Sequence, residues 1–168
     1  MVTLRCTQKL LRRLDVTDRP AAPTTVLGDW YANILFSRPH QLVLCVSERS
    51  LLPVVLLAKE TQSLASRLAF AAGLILEKLG VAPSLIEREL FEMRSFAYDR
   101  TQNRRVLGSL NDLMFQLSWY MHHSPAKSLL EHSLHLAETP CSPIGMGSPD
   151  RVTVELFQSA RVDAEAFH

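Results

Sequence analysis

Cysteine is scarce and unpaired in pattern: Cys6, Cys45 and Cys141 make an odd count, and no two stand at C-x-x-C spacing. Neither a disulfide framework nor a zinc knuckle is indicated. Long hydrophobic runs are missing too. Nothing approaches the roughly 18 uninterrupted apolar residues of a membrane span. Met1 to Leu14 alternate apolar and basic positions, unlike the continuous apolar stretch of a signal peptide. Charge of one sign is also lacking: the formal net charge is +1, which provides no overall field to draw in DNA, an acidic partner or an anionic membrane. The expected setting is a reducing cytoplasm, with no membrane contact.

The motifs of common chemistries are absent as well. There is no G-x-x-x-x-G-K-[ST] loop and no G-x-G-x-x-G turn to cradle phosphates. No G-x-S-x-G elbow places a serine beside a base and an orienting acid. His122-His123 and Glu131-His132 with His135 are the only clusters that suggest a metal. Histidines at i and i+3 can converge on one ion, but a site needs three or four ligands with supporting groups. No metal and no cofactor is expected, and whether the chain is an enzyme is left open.

What is present is a chain of 168 residues, 47% hydrophobic and 21% charged, which fits a single globular domain spanning 1–168. Val2, Leu4 and Cys6 alternate with Thr3 and Arg5 as in a short strand, and Thr7 stands where a helix carrying Leu10, Leu11 and Leu14 would be capped. Prolines 20 and 23 place a loop over 15–28. Three β-rich runs follow, Tyr31 to Phe36, Leu42 to Ser47 and Leu52 to Leu57, with connectors short enough for an antiparallel meander. Leu42 to Val46 is continuously apolar, which is expected of a strand covered on both faces or packed deep in a sheet. Pro53 belongs at a strand start or an edge.

After Lys59 the period becomes helical. Leu64, Leu68, Ala72, Ile75 and Leu79 form one stripe, Phe70, Leu74 and Leu76 widen it, and Gly80 ends it. Ser84-Leu-Ile-Glu87 has the pattern of a capping box opening a helix to about Arg94. Phe96 and Tyr98 suit a short extended piece. A long helix runs from near Asn103 to His122, with Val106, Leu110, Leu113, Leu117 and Tyr120 on one face and Thr101, Arg104, Gly108 and Asn111 on the other. Mid-helix Gly108 costs roughly 1 kcal/mol relative to alanine, so a close approach to the backbone is expected there. Residues 133–138 suit a helix or a strand equally. An irregular connector covers 139–149, and Ser148-Pro149-Asp150 opens a last helix through Val154 and Phe157. The pattern predicts an α+β two-layer fold, an antiparallel sheet of about four strands with helices mainly on one face.

Basic residues cluster at Arg5, Lys9, Arg12 and Arg13 and again at Arg94, Arg100, Arg104 and Arg105. Such groups can hold phosphates, but without interleaved exposed aromatics they argue only weakly for nucleic acid.

The order of Arg5-Cys-Thr-Gln-Lys-Leu-Leu11, Trp30-Tyr-Ala-Asn33, Arg38, Leu42 to Ser47, Leu52-Pro-Val-Val55 and Thr101 to Asn111 resembles a bacterial family of unknown function. Its members often open with a Cys-Thr-x-Lys-Leu-Leu run. The resemblance covers most of the chain and implies that Thr7, Lys9, Trp30, Asn33, Arg38, Arg104, Gly108 and Asn111 occupy recurrent positions. It brings no activity, substrate or cofactor. Lys9, Asn33, Arg38, Arg104 and Asn111 are the candidate ligand-binding residues.

The leading expectation is a small binding or regulatory protein that acts through protein contacts and self-associates as a homodimer. The first alternative is an enzyme or small-ligand binder with a site built from Asn33, Arg38, Arg104 and Asn111 where the long helix meets the sheet. The second is a nucleic-acid-binding factor. A concave pocket with converging Arg and Asn side chains favours the first alternative, a continuous basic stripe the second, and a flat apolar patch the leading reading.

Overall fold

A computed structural model describes residues 1–15, 21–37 and 40–167. Strands β1 (Val2–Cys6), β2 (Trp30–Ser37), β3 (His40–Ser47), β4 (Pro53–Leu57) and β5 (Phe96–Arg100) form one sheet in the order β4-β3-β2-β1-β5. The helices are α1 (Gln8–Leu11), α2 (Leu64–Lys78), α3 (Pro83–Glu92), α4 (Arg104–His123), α5 (Leu129–Leu136) and α6 (Pro149–Ala166).

The α+β class is as the sequence predicts, and β2, β3 and β4 make the antiparallel meander. The sheet differs in two details. It has five strands, and it is mixed, because β1 runs parallel to both β2 and β5. Parallel neighbours require a crossover of a dozen or more residues between them, and the long connections from β1 to β2 and from β1 to β5 supply it.

Most helices pack on one face, as expected: α1, α2, α3 and α6 contribute to one core, while α4 covers the opposite face. Val2, Leu4, Cys6, Trp30, Ala32, Val43, Cys45 and Val54 point into a core shared with Leu68, Ala72 and Ile75 of α2, Ile86 of α3 and Phe157 of α6. Tyr31, Leu42, Leu44, Val46 and Val55 point the opposite way, into a second core closed by Val106, Leu110, Leu113 and Leu117 of α4. Side chains alternate between faces along a strand, so a strand with apolar groups at both parities needs cover on both sides. The unbroken run Leu42 to Val46 is buried throughout for this reason.

The undecided stretch is helix α5, capped by Ser128, whose side chain accepts from the Glu131 N–H. It lies along β4, where the Ser133 hydroxyl accepts from the Val55 N–H at 2.9 Å and donates to the Leu129 carbonyl at 2.8 Å. An edge strand is thereby denied its open N–H to other chains. Pro53 is the first residue of that edge strand, as its missing donor requires. Helix α6 is tied to the turn after β3 by Thr153, which donates to Ser50 at 2.7 Å.

Two caps differ from expectation. Helix α3 begins at Pro83, with no side-chain bond from a capping box, since proline preorganises the first helical position. Thr7 stands at the cap of α1, but its hydroxyl is engaged elsewhere. Asn103 does cap α4, accepting from the N–H groups of Arg105 and Val106. Within the expected loop over 15–28, residues 21–28 hold neither helix nor strand. Buried Glu89 accepts from the Val26 N–H at 2.7 Å and the Leu27 N–H at 3.1 Å, and Arg49 donates to the carbonyls of Thr25 and Val26.

Candidate functional site

The face of the sheet beneath α4 carries a polar row. Register places Arg5 between Tyr31 of β2 and Asp99 of β5. Its guanidinium lies 3.3 Å from Asp29 and 3.3 Å from Asp99. Asp29, itself buried, also accepts from the Thr3 N–H at 2.9 Å. The Tyr31 hydroxyl accepts from the Asn103 N–H at 3.1 Å and so anchors the start of α4. Burial raises the Tyr31 pKa, only partly opposed by the backbone bond from Asn103, so the phenol stays protonated at neutral pH.

Beside this row, Thr7 donates to the Asn33 side-chain oxygen at 2.6 Å, and the same oxygen accepts from the Ile34 N–H at 2.8 Å. The Asn33 amide then donates to the Asn111 side-chain oxygen at 3.5 Å. Two of the candidate residues, Asn33 and Asn111, are therefore brought together. The Lys9 ammonium stands apart, 5.6 Å from the centre of the Phe36 ring. Arg104 is exposed in the first turn of α4 and makes no ion pair among the described residues. Arg38 lies outside the described residues. None of five prominent clefts is lined by Lys9, Asn33, Arg104 or Asn111.

The chemistry open to this row is limited by its own pairing. Arg5 is held by two carboxylates, and Asn33 is engaged as both donor and acceptor. Such satisfaction is what buried polar groups need in order to be tolerated. The cysteines supply no ready nucleophile. Burial pushes the Cys6 thiol up to about 12 and raises those of Cys45 and Cys141, whereas it is the thiolate that attacks.

Four histidines, His122, His123, His132 and His135, gather with aromatic rings at the end of α4. His123 stacks on Trp119 at 3.8 Å between centroids, and His135 meets the edge of Tyr120 at 4.5 Å. His132 is buried under Tyr120, and burial lowers its pKa. Among the described residues no three His, Cys, Asp or Glu side chains group in a way that could hold a metal ion. No helix there is long and apolar enough to cross a membrane.

The other face of the molecule carries an apolar groove of about 630 Å³ between α2 and α3. Its floor contains Gly73, Val81, Ile86 and Leu90. Gly73 sits where the helices meet: a Cβ there would stand 2.9 Å from a methyl of Leu90. Phe70 is 69% exposed, Phe91 61% and Leu74 37%, so Phe70 and Leu74 do not widen the buried stripe of α2 as the periodicity suggests. They form the walls of the groove instead. Glu77, Glu87 and Arg94 line it as well, and the Arg94 guanidinium lies 5.1 Å from the Phe91 ring centre. Sequence periodicity gives a trace of this groove, since Phe70 stands off the Leu64-Leu68-Ala72-Ile75 stripe. Asp29 and Asp99 left no trace, because a lone buried carboxylate has no characteristic spacing.

A family model described as a domain of unknown function, DUF6933, matches residues 3–152. The chain belongs to the DUF6933 family. This agrees with the family of unknown function that its ordered segments resemble. No curated protein and no solved structure matches it. The DUF6933 match runs from β1 into the first turn of α6 and so contains all of the sheet but Val2, the polar row and the α2–α3 groove.

Proposed function

We propose that this DUF6933 chain is a binding protein that acts through protein contacts, receiving an amphipathic helical segment of its partner in the α2–α3 groove. The observation that carries this reading is the groove itself, a concave apolar surface with Phe70, Leu74 and Phe91 held out to solvent. Exposed aromatics around a concave floor favour an apolar helix face presented at i, i+3, i+4 and i+7. Carboxylates Glu77 and Glu87 and the Arg94 guanidinium line the same groove. An entering helix with a lysine or arginine toward the glutamates and an acidic residue toward Arg94 matches that charge.

The test is a titration of the isotope-labelled chain with a synthetic amphipathic helix of about four turns, leucine and phenylalanine on one face and lysines flanking it. Amide shifts confined to α2 and α3, and lost in Leu74→Glu, support the reading. Shifts scattered over the surface, or retained in Leu74→Glu, refute it.

A further inference from the structure

Helix α4 has a second exposed face, on the side of the sheet opposite the groove. At about 100° per residue, Arg104, Gly108, Asn111, Phe115 and Trp119 lie on the line facing away from the buried Val106, Leu110, Leu113 and Leu117. Phe115 is 77% exposed and Trp119 54%. No described neighbour approaches Gly108: a Cβ built on it meets nothing within 4 Å. A glycine in mid-helix costs about 1 kcal/mol, and the close approach expected at this position does not come from any described element of the same molecule.

We infer that two copies of this chain associate through antiparallel α4 helices, across a two-fold axis passing between Asn111 and Asp112. A two-fold contact is reciprocal, so the residue pairs must read the same from either copy. The spacing along α4 satisfies this. Positions 108 and 115 are equidistant from the axis, as are 104 and 119, and 111 and 112 flank it. Phe115 of each copy then lies against the bare backbone of Gly108 in the other, a large knob over a hole without a side chain. Arg104, which makes no ion pair among the described residues, comes over the Trp119 ring, a favourable cation–π arrangement.

A parallel pair fares worse on every count. It sets Arg104 on Arg104, Phe115 on Phe115 and Gly108 on Gly108, bringing like charges together and leaving the hole unfilled. Size and charge together therefore favour a second, antiparallel copy. The two aromatic pairs place on the order of 500 Å² of aromatic surface at the centre, against about 1,200–2,000 Å² buried in a standard stable interface. The association is accordingly weak and concentration-dependent.

Sedimentation velocity on the full chain, from about 5 to about 500 µM, tests this. The native chain should move from monomer to dimer mass across the series. Phe115→Ala removes the knob and Gly108→Phe sets ring against ring, so each should weaken association by about tenfold or more. Gly108→Phe combined with Phe115→Ala moves the knob to the other side of the axis and should restore the dimer. Circular dichroism melts confirm that each variant is folded, and Gly108→Phe should melt no lower than the native chain. Leu74→Glu, in the groove, should leave the dimer intact, which separates failure here from failure of the groove reading. The inference is overturned by a native chain still monomeric at the top of the series, by single variants that dimerise normally, by a double variant that stays monomeric, or by loss of the dimer in Leu74→Glu.

Discussion

Replacing Glu89 with alanine removes a buried carboxylate that holds two backbone donors of the preceding loop, the Val26 N–H at 2.7 Å and the Leu27 N–H at 3.1 Å. The Leu27 N–H is buried and the Val26 N–H only partly so. Stranding a buried donor costs about 1–3 kcal/mol; taking about 2 for Leu27 and about 1 for Val26 gives a loss of about 3 kcal/mol. Arg49 donates to the Thr25 and Val26 carbonyls in the same loop, so some of the loop's order survives and the chain should still fold. Acidity supplies a second, independent signature. Burial is the largest influence on Glu89 and raises its pKa above the ordinary 4.5, with the two backbone bonds and Arg49 opposing and Glu92 adding to the rise. A raised folded-state value means that the titration of Glu89 favours the fold below its unfolded value, and this advantage is lost as pH rises through the folded value. The stability gap between the native chain and Glu89→Ala should therefore widen as pH falls from 7 toward 4. Urea midpoints of the two proteins at several pH values measure it, and exchange of the Val26 and Leu27 amides reports the loop. A gap under about 1 kcal/mol at pH 7, or one that narrows on acidification, would refute the reasoning.

Ser133→Ala should cost about 1–3 kcal/mol, because it leaves the buried Val55 N–H of the edge strand without an acceptor; urea denaturation gives the size, and faster exchange at the Val55 amide gives the place. His132 is buried with its Nε2 unpartnered among the described residues, and burial depresses its pKa. Its contribution is thus present above its ordinary value and lost as pH falls through the folded value, so stability should drop between about pH 7 and pH 5 and do so less steeply in His132→Phe. Trp30 is fully buried and Trp119 half exposed, so Trp119→Phe should shift the native emission to the blue; an unshifted or red-shifted spectrum contradicts the burial of Trp30.

The meander was legible because its signal is local: three β-rich runs, joined by connectors too short for a crossover. β5 was legible as a short extended piece from the alternation of Phe96 and Tyr98, but its pairing with β1 was not, since it joins residues more than 90 apart, Val2 with Phe96 and Cys6 with Arg100. The second layer of helix was half legible. The unbroken apolar run in β3 pointed to cover on both faces, and α2 and α4 each carried an apolar stripe needing a sheet face to bury it. The expectation of helices mainly on one face holds for α1, α2, α3 and α6, and α4 takes the other. At the polar row, Asn33 and Asn111 were flagged and do meet, but Arg5 reads only as one basic residue among several until β5 brings Asp99 beside it. Trp30 was expected to be buried with its indole N–H bonded. It is buried, yet that N–H has no partner among the described residues, because the apolar core that takes the ring surrounds its polar edge as well.

The positions of the two exposed apolar surfaces bear on what the chain can do with both. α4 and the α2–α3 groove lie on opposite faces of one sheet, so occupying either leaves the other open to solvent. Two copies paired through α4 would carry their grooves outward, each separated from the other by two sheets and a helix pair. No single short helix can bridge two sites arranged in this way. The gain in avidity that comes from linking sites requires a linker able to span them, and here it would arise only for a partner that is itself extended or assembled. The polar row lies on the α4 side of the sheet, away from the groove. Arg5, Asp29 and Asp99 tie β5 to β1, and the Tyr31 hydroxyl holds the start of α4 against β2. The paired side chains of this network lie beneath an exposed helix face, an arrangement suited to positioning α4 on the sheet.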